Sequence, residues 1–158
     1  MLFRSLQYLE QPVRIDSPGT YKRLRQRLRT PIGVNEDAYF PYNLYHLVKA
    51  DAIDVGVLDL VPAGGILRVR EQAAAASAAG VSLSHHCGFD LGVKTAAVLH
   101  TVAATPAINL APDSVYYAWD DYLVESPLNA TTGSIRVPDE PGLGVTVDER
   151  KVEQYRTD

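Results

Sequence analysis

The chain has 158 residues, 46% of them hydrophobic and 22% charged, which suits one domain with a real core spanning 1–158 and is too short for two. A net charge of −4 and a pI near 5.5 argue against nucleic acid or an anionic membrane as the main partner. No apolar run reaches the ~18 residues a membrane span needs, Met1–Leu9 lacks the layout of a leader peptide, and the single Cys87 has no partner for an internal disulfide, so the expectation is a soluble, cytoplasmic protein.

In chain order, Leu6–Gln11 reads as a strand, followed by a Pro/Gly turn at Ser17–Gly19 and a helix from Thr20 to Arg29. On that helix Tyr21, Leu24 and Leu28 supply an apolar stripe, and Lys22, Arg23, Arg25, Arg27 and Arg29 a solvated face. Ile32–Glu36 is a second strand, and Pro41 fits the first turn of a helix running to Ala50. Ile53–Leu60 is a third strand. Gly64–Gly65 then opens an Ala-rich helix closed by Gly80. Val81–His86 is a fourth strand, Asp90–Ala104 a helix ended before Pro106, and Ile108–Ala111 a short fifth strand. Irregular and extended segments fill Ser114–Val147, and Asp148–Tyr155 forms a short last helix. Strand and helix alternate throughout, which predicts a parallel α/β sheet.

Each of the first four strands ends on a polar group: Glu10, Glu36, Asp59 and His86, separated by 26, 23 and 27 residues. Such gaps match one strand-plus-helix unit of a β/α barrel, whose chemistry sits at the C-terminal tips of its strands. Side chains alternate along a strand, so Val34 shares a face with Glu36, Val57 with Asp59, and Ser84 with His86. His85 takes the opposite face and packs or caps nearby. Taken singly, these residues have plainer readings: Glu10 and Glu36 as polar strand ends, Asp59 as a strand cap, His86 as a core histidine. Cys87 reads as a small buried filler, and His46 and His100 as packing residues within helices. Trp119, with Tyr116 and Tyr117, either floors a pocket or packs in the core.

Five segments in order, YLEQP (Tyr8–Pro12), TPIGVNED (Thr30–Asp37), LDLVPAGGI (Leu58–Ile66), SHHCGFDLG (Ser84–Gly92) and VPDEPGLGV (Val137–Val145), resemble the C-terminal barrel domain of the enolase superfamily. The resemblance is to the mandelate racemase/muconate lactonizing and acid-sugar dehydratase branch. It implies a partial TIM (β/α) barrel, roughly strands four to eight, a parallel sheet with outer helices. It implies Glu10 and Glu36 as ligands of Mg²⁺, with Asn35 a rival for Glu36 because dehydratase relatives use an Asn near this place. It implies Asp59 and His86 as a catalytic dyad, the carboxylate orienting an imidazole that removes the proton α to a substrate carboxylate. The substrate class it implies is a small acid sugar or hydroxy acid, and the reaction a dehydration, alternatively a racemisation.

Members of this superfamily carry further parts: an N-terminal cap, a strand with a Lys-x-Lys pattern and another metal carboxylate. None is found in these residues, and at the strand-eight acid position stands Ser114, with Asp113 adjacent. The chain is therefore expected to work as a fragment of the full enzyme, completed by an N-terminal segment or by homo-oligomerisation through exposed sheet edges. The alternative is a non-catalytic remnant half-barrel that binds at most a metal or a small acid.

Overall fold

The structure is a computed structural model that describes residues 6–14, 17–88, 90–131 and 133–157. Met1–Ser5 of the stretch read for a leader, and Phe89 of SHHCGFDLG, lie outside the described residues. Residues up to His86 together with Thr105–Pro112 form one compact unit; Cys87–Ala104 with the residues from Asp113 onward form another.

The first unit is built on four parallel strands in the order β1-β2-β3-β4: β1 Leu9–Glu10, β2 Ile32–Val34, β3 Val55–Leu58 and β4 Ser82–His85. The register pairs Glu10 with Gly33, Gly33 with Val55 and Leu58 with His85. The two central strands are buried on both faces, β2 and β3 exposing no residue, whereas β1 at the edge ends on the exposed Glu10. Ile32, Val34, Val57, Leu58 and Leu83 are essentially inaccessible, each contributing roughly 1.5–3 kcal/mol of burial. Connecting helices are α1 Pro18–Arg27, α2 Pro41–Lys49, α3 Leu60–Ala63 and α4 Ile66–Ala78. Proline occupies the first turn of both α1 and α2, where its missing N–H costs no helical bond. Past the end of α4, Gly80 takes a φ of 81°, the left-handed conformation that lets the chain leave the helix.

The basic helix differs from its expected form. It starts at Pro18 and ends at Arg27, so Leu28 falls beyond it and is 42% exposed rather than completing the stripe. Tyr21 alone of that stripe is fully buried. Nor is the basic face only solvated. Arg25 bridges Asp54 Oδ1 at 2.7 Å and Asp51 Oδ1 at 2.5 Å, and Lys22 Nζ donates to the Ala50 carbonyl. Asp54 in turn accepts from the Ile32 N–H at 2.8 Å, so α1 is tied to the amino ends of β2 and β3.

Ile108–Ala111 does not form the expected fifth strand. It runs beside β4 and donates one ladder bond, Leu110 N–H to Leu83 O at 2.9 Å. The return bond goes to a side chain: Leu83 N–H donates to Asn109 Oδ1 at 3.0 Å, while Ser84 Oγ donates to Ala111 O. Pro106 and Pro112 bring no N–H to the flanks of this segment, and within it an asparagine side chain takes the place of a backbone acceptor.

In the second unit, α5 (Val93–Ala103) presents Ala96 to Tyr116 and Leu128, with Leu99, Tyr122, Ile135, Leu143 and Val145 packed around them. A two-stranded antiparallel hairpin, β5 Ala130–Thr131 with β6 Ser134–Ile135, and α6, Glu149–Gln154, complete it. Asp148 caps α6 by accepting from the Arg150 and Lys151 N–H groups. Among the described residues no helix is long and apolar enough to cross a membrane.

One glycine is required by its neighbours. A Cβ at Gly33 would stand 2.6 Å from Tyr8 Cδ2, so the Tyr8 ring closely approaches this backbone. Gly33→Ala is expected to lower stability by about 1–3 kcal/mol in urea unfolding through this overpacking. An unchanged midpoint would show that the ring moves aside freely.

Candidate active site

All four residues singled out from the sequence fall at the carboxyl ends of successive parallel strands. Glu10 closes β1, Glu36 lies in the 3₁₀ turn Glu36–Ala38 just past β2, Asp59 follows β3, and His86 follows β4. The sheet brings two of them into direct contact. Asp59 Oδ2 lies 2.8 Å from His86 Nδ1, and the Asp59 side chain is 6% exposed against 24% for His86. A carboxylate only accepts, so His86 donates through Nδ1–H, and in the neutral imidazole Nε2 then carries the lone pair.

Asp59 is held from its other oxygen. It is the N-cap of α3, and its Oδ1 accepts from the Val61 N–H at 2.9 Å. One side chain thus starts a helix and aims an imidazole. The His86 N–H donates to Leu58 O at 2.6 Å, which fixes the backbone under the ring. Tyr39 lies beside it, its hydroxyl 3.4 Å from His86 Nδ1 and its ring centroid 5.8 Å away. His85, on the opposite face of β4, is fully buried with Nδ1 2.7 Å from the His86 carbonyl.

The other half of the rim is arranged differently from the alternation argument. β2 ends at Val34, Asn35 turns with φ −111° and ψ −80°, and the face shared by Val34 does not continue to Glu36. Glu36 is exposed and borders a cleft with Gln11, Pro12, Val13 and Arg14. Asn35 turns inward instead: it is buried, and its Nδ2 donates to Glu10 Oε1 at 3.1 Å. Its Oδ1 is buried without a hydrogen-bond partner among the described residues. Glu10 also accepts a long bond from the Tyr8 hydroxyl at 3.4 Å.

Glu10, Glu36 and the Asn35 carbonyl are hard oxygen donors of the kind Mg²⁺ prefers. They suit that ion in chemistry but fall short in number, since among the described residues no three His, Cys, Asp or Glu side chains are grouped closely enough to hold a metal. Sequence reasoning missed Gln11, Tyr21, Asp37 and Tyr39 around this rim. Tyr21 was read only as an apolar stripe residue, and nothing in NEDAY marks Asp37 as buried.

Cys87 is buried, and loss of solvent, followed by the neighbouring Asp90, pushes its thiol up to about 11. It is a protonated filler at neutral pH, not a nucleophile. Its backbone N–H donates to Asp113 Oδ1 at 2.9 Å. The aromatic segment divides: Tyr116 is buried and its hydroxyl accepts from the Leu128 N–H, whereas Tyr117 is 77% exposed. His46 meets Tyr42 and Tyr45 edge-to-face on α2, and His100 meets the Leu143 carbonyl.

Residues 2–151 match the family described as enolase C-terminal domain-like. The D-xylonate dehydratase of Haloferax volcanii is 30% identical over 94% of this chain and 36% of its own length. The D-galactarolactone cycloisomerase of Agrobacterium fabrum is 27% identical, over 96% and 42% respectively. An isomerase from Streptomyces coelicolor A3(2) superposes with a TM-score of 0.87 at 34% identity, over 96% of this chain and 40% of that one. An enolase from Gibberella zeae PH-1, solved in complex with magnesium, formate and sulfate, gives a TM-score of 0.86 at 27% identity, over 94% and 35%. The chain spans about 40% of the length of the relatives it matches, so its parallel sheet with helices is a partial (β/α) barrel. It belongs to the enolase C-terminal domain-like family.

Proposed function

We propose that the chain carries the general base and part of the metal site of a Mg²⁺-dependent enzyme that removes the proton α to a carboxylate, in the dehydration of an acid sugar. The observation that carries this reading is the Asp59–His86 pair at the tips of β3 and β4, with Nδ1 engaged and Nε2 left as the basic nitrogen. Asp59 holds the ring and offsets the charge it gains on accepting a proton. The tie from Val61 N–H keeps that carboxylate from following the ring as it moves. Glu10 and Glu36 would hold the Mg²⁺. When bound, the ion draws negative charge from the substrate carboxylate and so acidifies the α-carbon. Acid-sugar dehydratases and cycloisomerases both occur among the relatives, which supports the substrate class. Screening a panel of acid sugars in D₂O separates dehydration, which yields a keto acid, from racemisation, which yields exchange with retention of formula.

A second reading, a non-catalytic remnant, is supported for the isolated chain by the lack of a three-acid cluster among the described residues. The two make a shared prediction for metal. Calorimetry on the 158-residue chain should show weak Mg²⁺ binding that Glu10→Gln and Glu36→Gln each weaken by at least about tenfold. Tight binding that neither change affects would mean that the ion sits elsewhere.

A further inference from the structure

Directly behind Glu10, Gln11 adopts a φ of 40°, left-handed backbone that a residue with a Cβ holds only when its surroundings fix it. Its own backbone and side-chain hydrogen bonds fix it. The Gln11 N–H continues the β1–β2 ladder to Gly33 O at 2.9 Å. Its side-chain Oε1 accepts from the Asn35 N–H at 2.9 Å. Its Nε2 shares two hydrogens among Val13 O at 3.0 Å, the Tyr21 hydroxyl at 2.6 Å and Asp37 Oδ2 at 2.8 Å. Tyr21 and Asp37 are themselves joined at 2.5 Å, and both are buried.

A closed ring results. Gln11 takes the Asn35 backbone, and the Asn35 side chain takes Glu10, the residue before Gln11. We propose that Gln11 is a positioning residue that locks the tips of β1 and β2 together, so that Glu10 and the Asn35–Glu36 corner are presented to a divalent cation at a fixed spacing. The Gln11 conformation is over-determined by these bonds. A flexible amide on an exposed strand end would not hold a strained backbone, whereas one bonded into α1, the 3₁₀ turn and the start of Asn35 does. Helix α1 is thereby coupled to the rim through Tyr21, not only to the amino ends of the strands through Arg25. The cation half of this inference rests on reading Glu10 and Glu36 as metal carboxylates.

The test uses Mn²⁺ as the probe and the whole chain. Gln11→Met keeps the length of the side chain and removes its bonds. Gln11→Asn keeps a residue tolerant of positive φ but with an amide one methylene too short to reach, and it serves if the Met variant fails to fold. Leu44→Ala, a core truncation on α2 away from the rim, is the control for general destabilisation. Relative to that control, the Gln11 variants should exchange the Asn35 amide at least about tenfold faster and bind Mn²⁺ at least about tenfold more weakly. Asn35 protection equal to that of Leu44→Ala overturns the lock. Faster Asn35 exchange with unchanged Mn²⁺ affinity overturns the positioning of ligands. If the wild-type chain binds no Mn²⁺, the metal assignment fails, and the exchange data still decide whether Gln11 locks the strand tips.

Discussion

With this chain joined to the N-terminal segment that its resemblance calls for, His86→Asn is expected to lower proton abstraction from an acid-sugar substrate by about 10²–10⁴-fold, the usual share of a positioned general base. Wash-in of solvent deuterium at the α-carbon is the direct measurement, because it reports abstraction even when later steps are slow. Asparagine is the informative replacement. Its amide nitrogen can still donate to Asp59 Oδ2, as Nδ1 of the histidine does at 2.8 Å, but it offers no basic atom beyond. Because the His86 side chain is partly exposed and the Asp59 contact is kept, stability should change by less than about 1 kcal/mol. Exchange at the wild-type rate would mean that another group takes the proton. The unjoined chain should show little exchange of its own, since preorganised charge and closure over substrate supply the larger share of such rate enhancements.

The second large effect concerns Asp59, where two replacements separate its two duties. Asp59→Asn should retain the cap, because the amide oxygen still accepts from the Val61 N–H. Flipping the amide would set its NH₂ against that N–H and is disfavoured. Its NH₂ therefore faces His86 Nδ1, drives the ring proton to Nε2 and removes the lone pair that the reaction needs. Abstraction should fall about 10²–10⁴-fold with an almost unchanged melting temperature. Asp59→Ala should lose the same activity and, in addition, about 0.5–2 kcal/mol of stability from the uncapped start of α3. Full activity in Asp59→Asn would show that the carboxylate serves the helix alone.

The sequence made the sheet and one half of the rim readable for a physical reason. The strands recur at a near-constant interval, and that unit length is set by the helix each must accommodate, so spacing alone brought Asp59 and His86 to neighbouring tips. The other half was not readable. Alternation extends only as far as the strand does, and β2 ends at Val34, before the residues in question. Beyond that point the backbone of Asn35 and the 3₁₀ turn decide which side chain turns in, and those angles depend on Gln11, 24 residues away in the chain. Leu28 failed for a similar reason: a helix that stops at Arg27 has no further face to offer. The missing fifth strand was a matter of hydrogen-bond bookkeeping between two prolines, invisible to a hydropathy pattern.

That last segment has a consequence for how the molecule behaves among its copies. A sheet ends safely only if its final row of donors and acceptors is already spent. On β4 the Leu83 N–H is spent on Asn109 and the Leu83 carbonyl on Leu110, so a foreign strand arriving there finds no free ladder at Leu83 to extend. Because the Asn109 amide bonds through its oxygen, it mimics a backbone carbonyl without bringing the N–H that would accompany one in a strand. At Leu83 the segment therefore covers β4 partly with a side chain, where a full strand would have brought only backbone. At that one residue it acts as a terminator in the polymer sense, closing growth on β4 without adding a regular repeat.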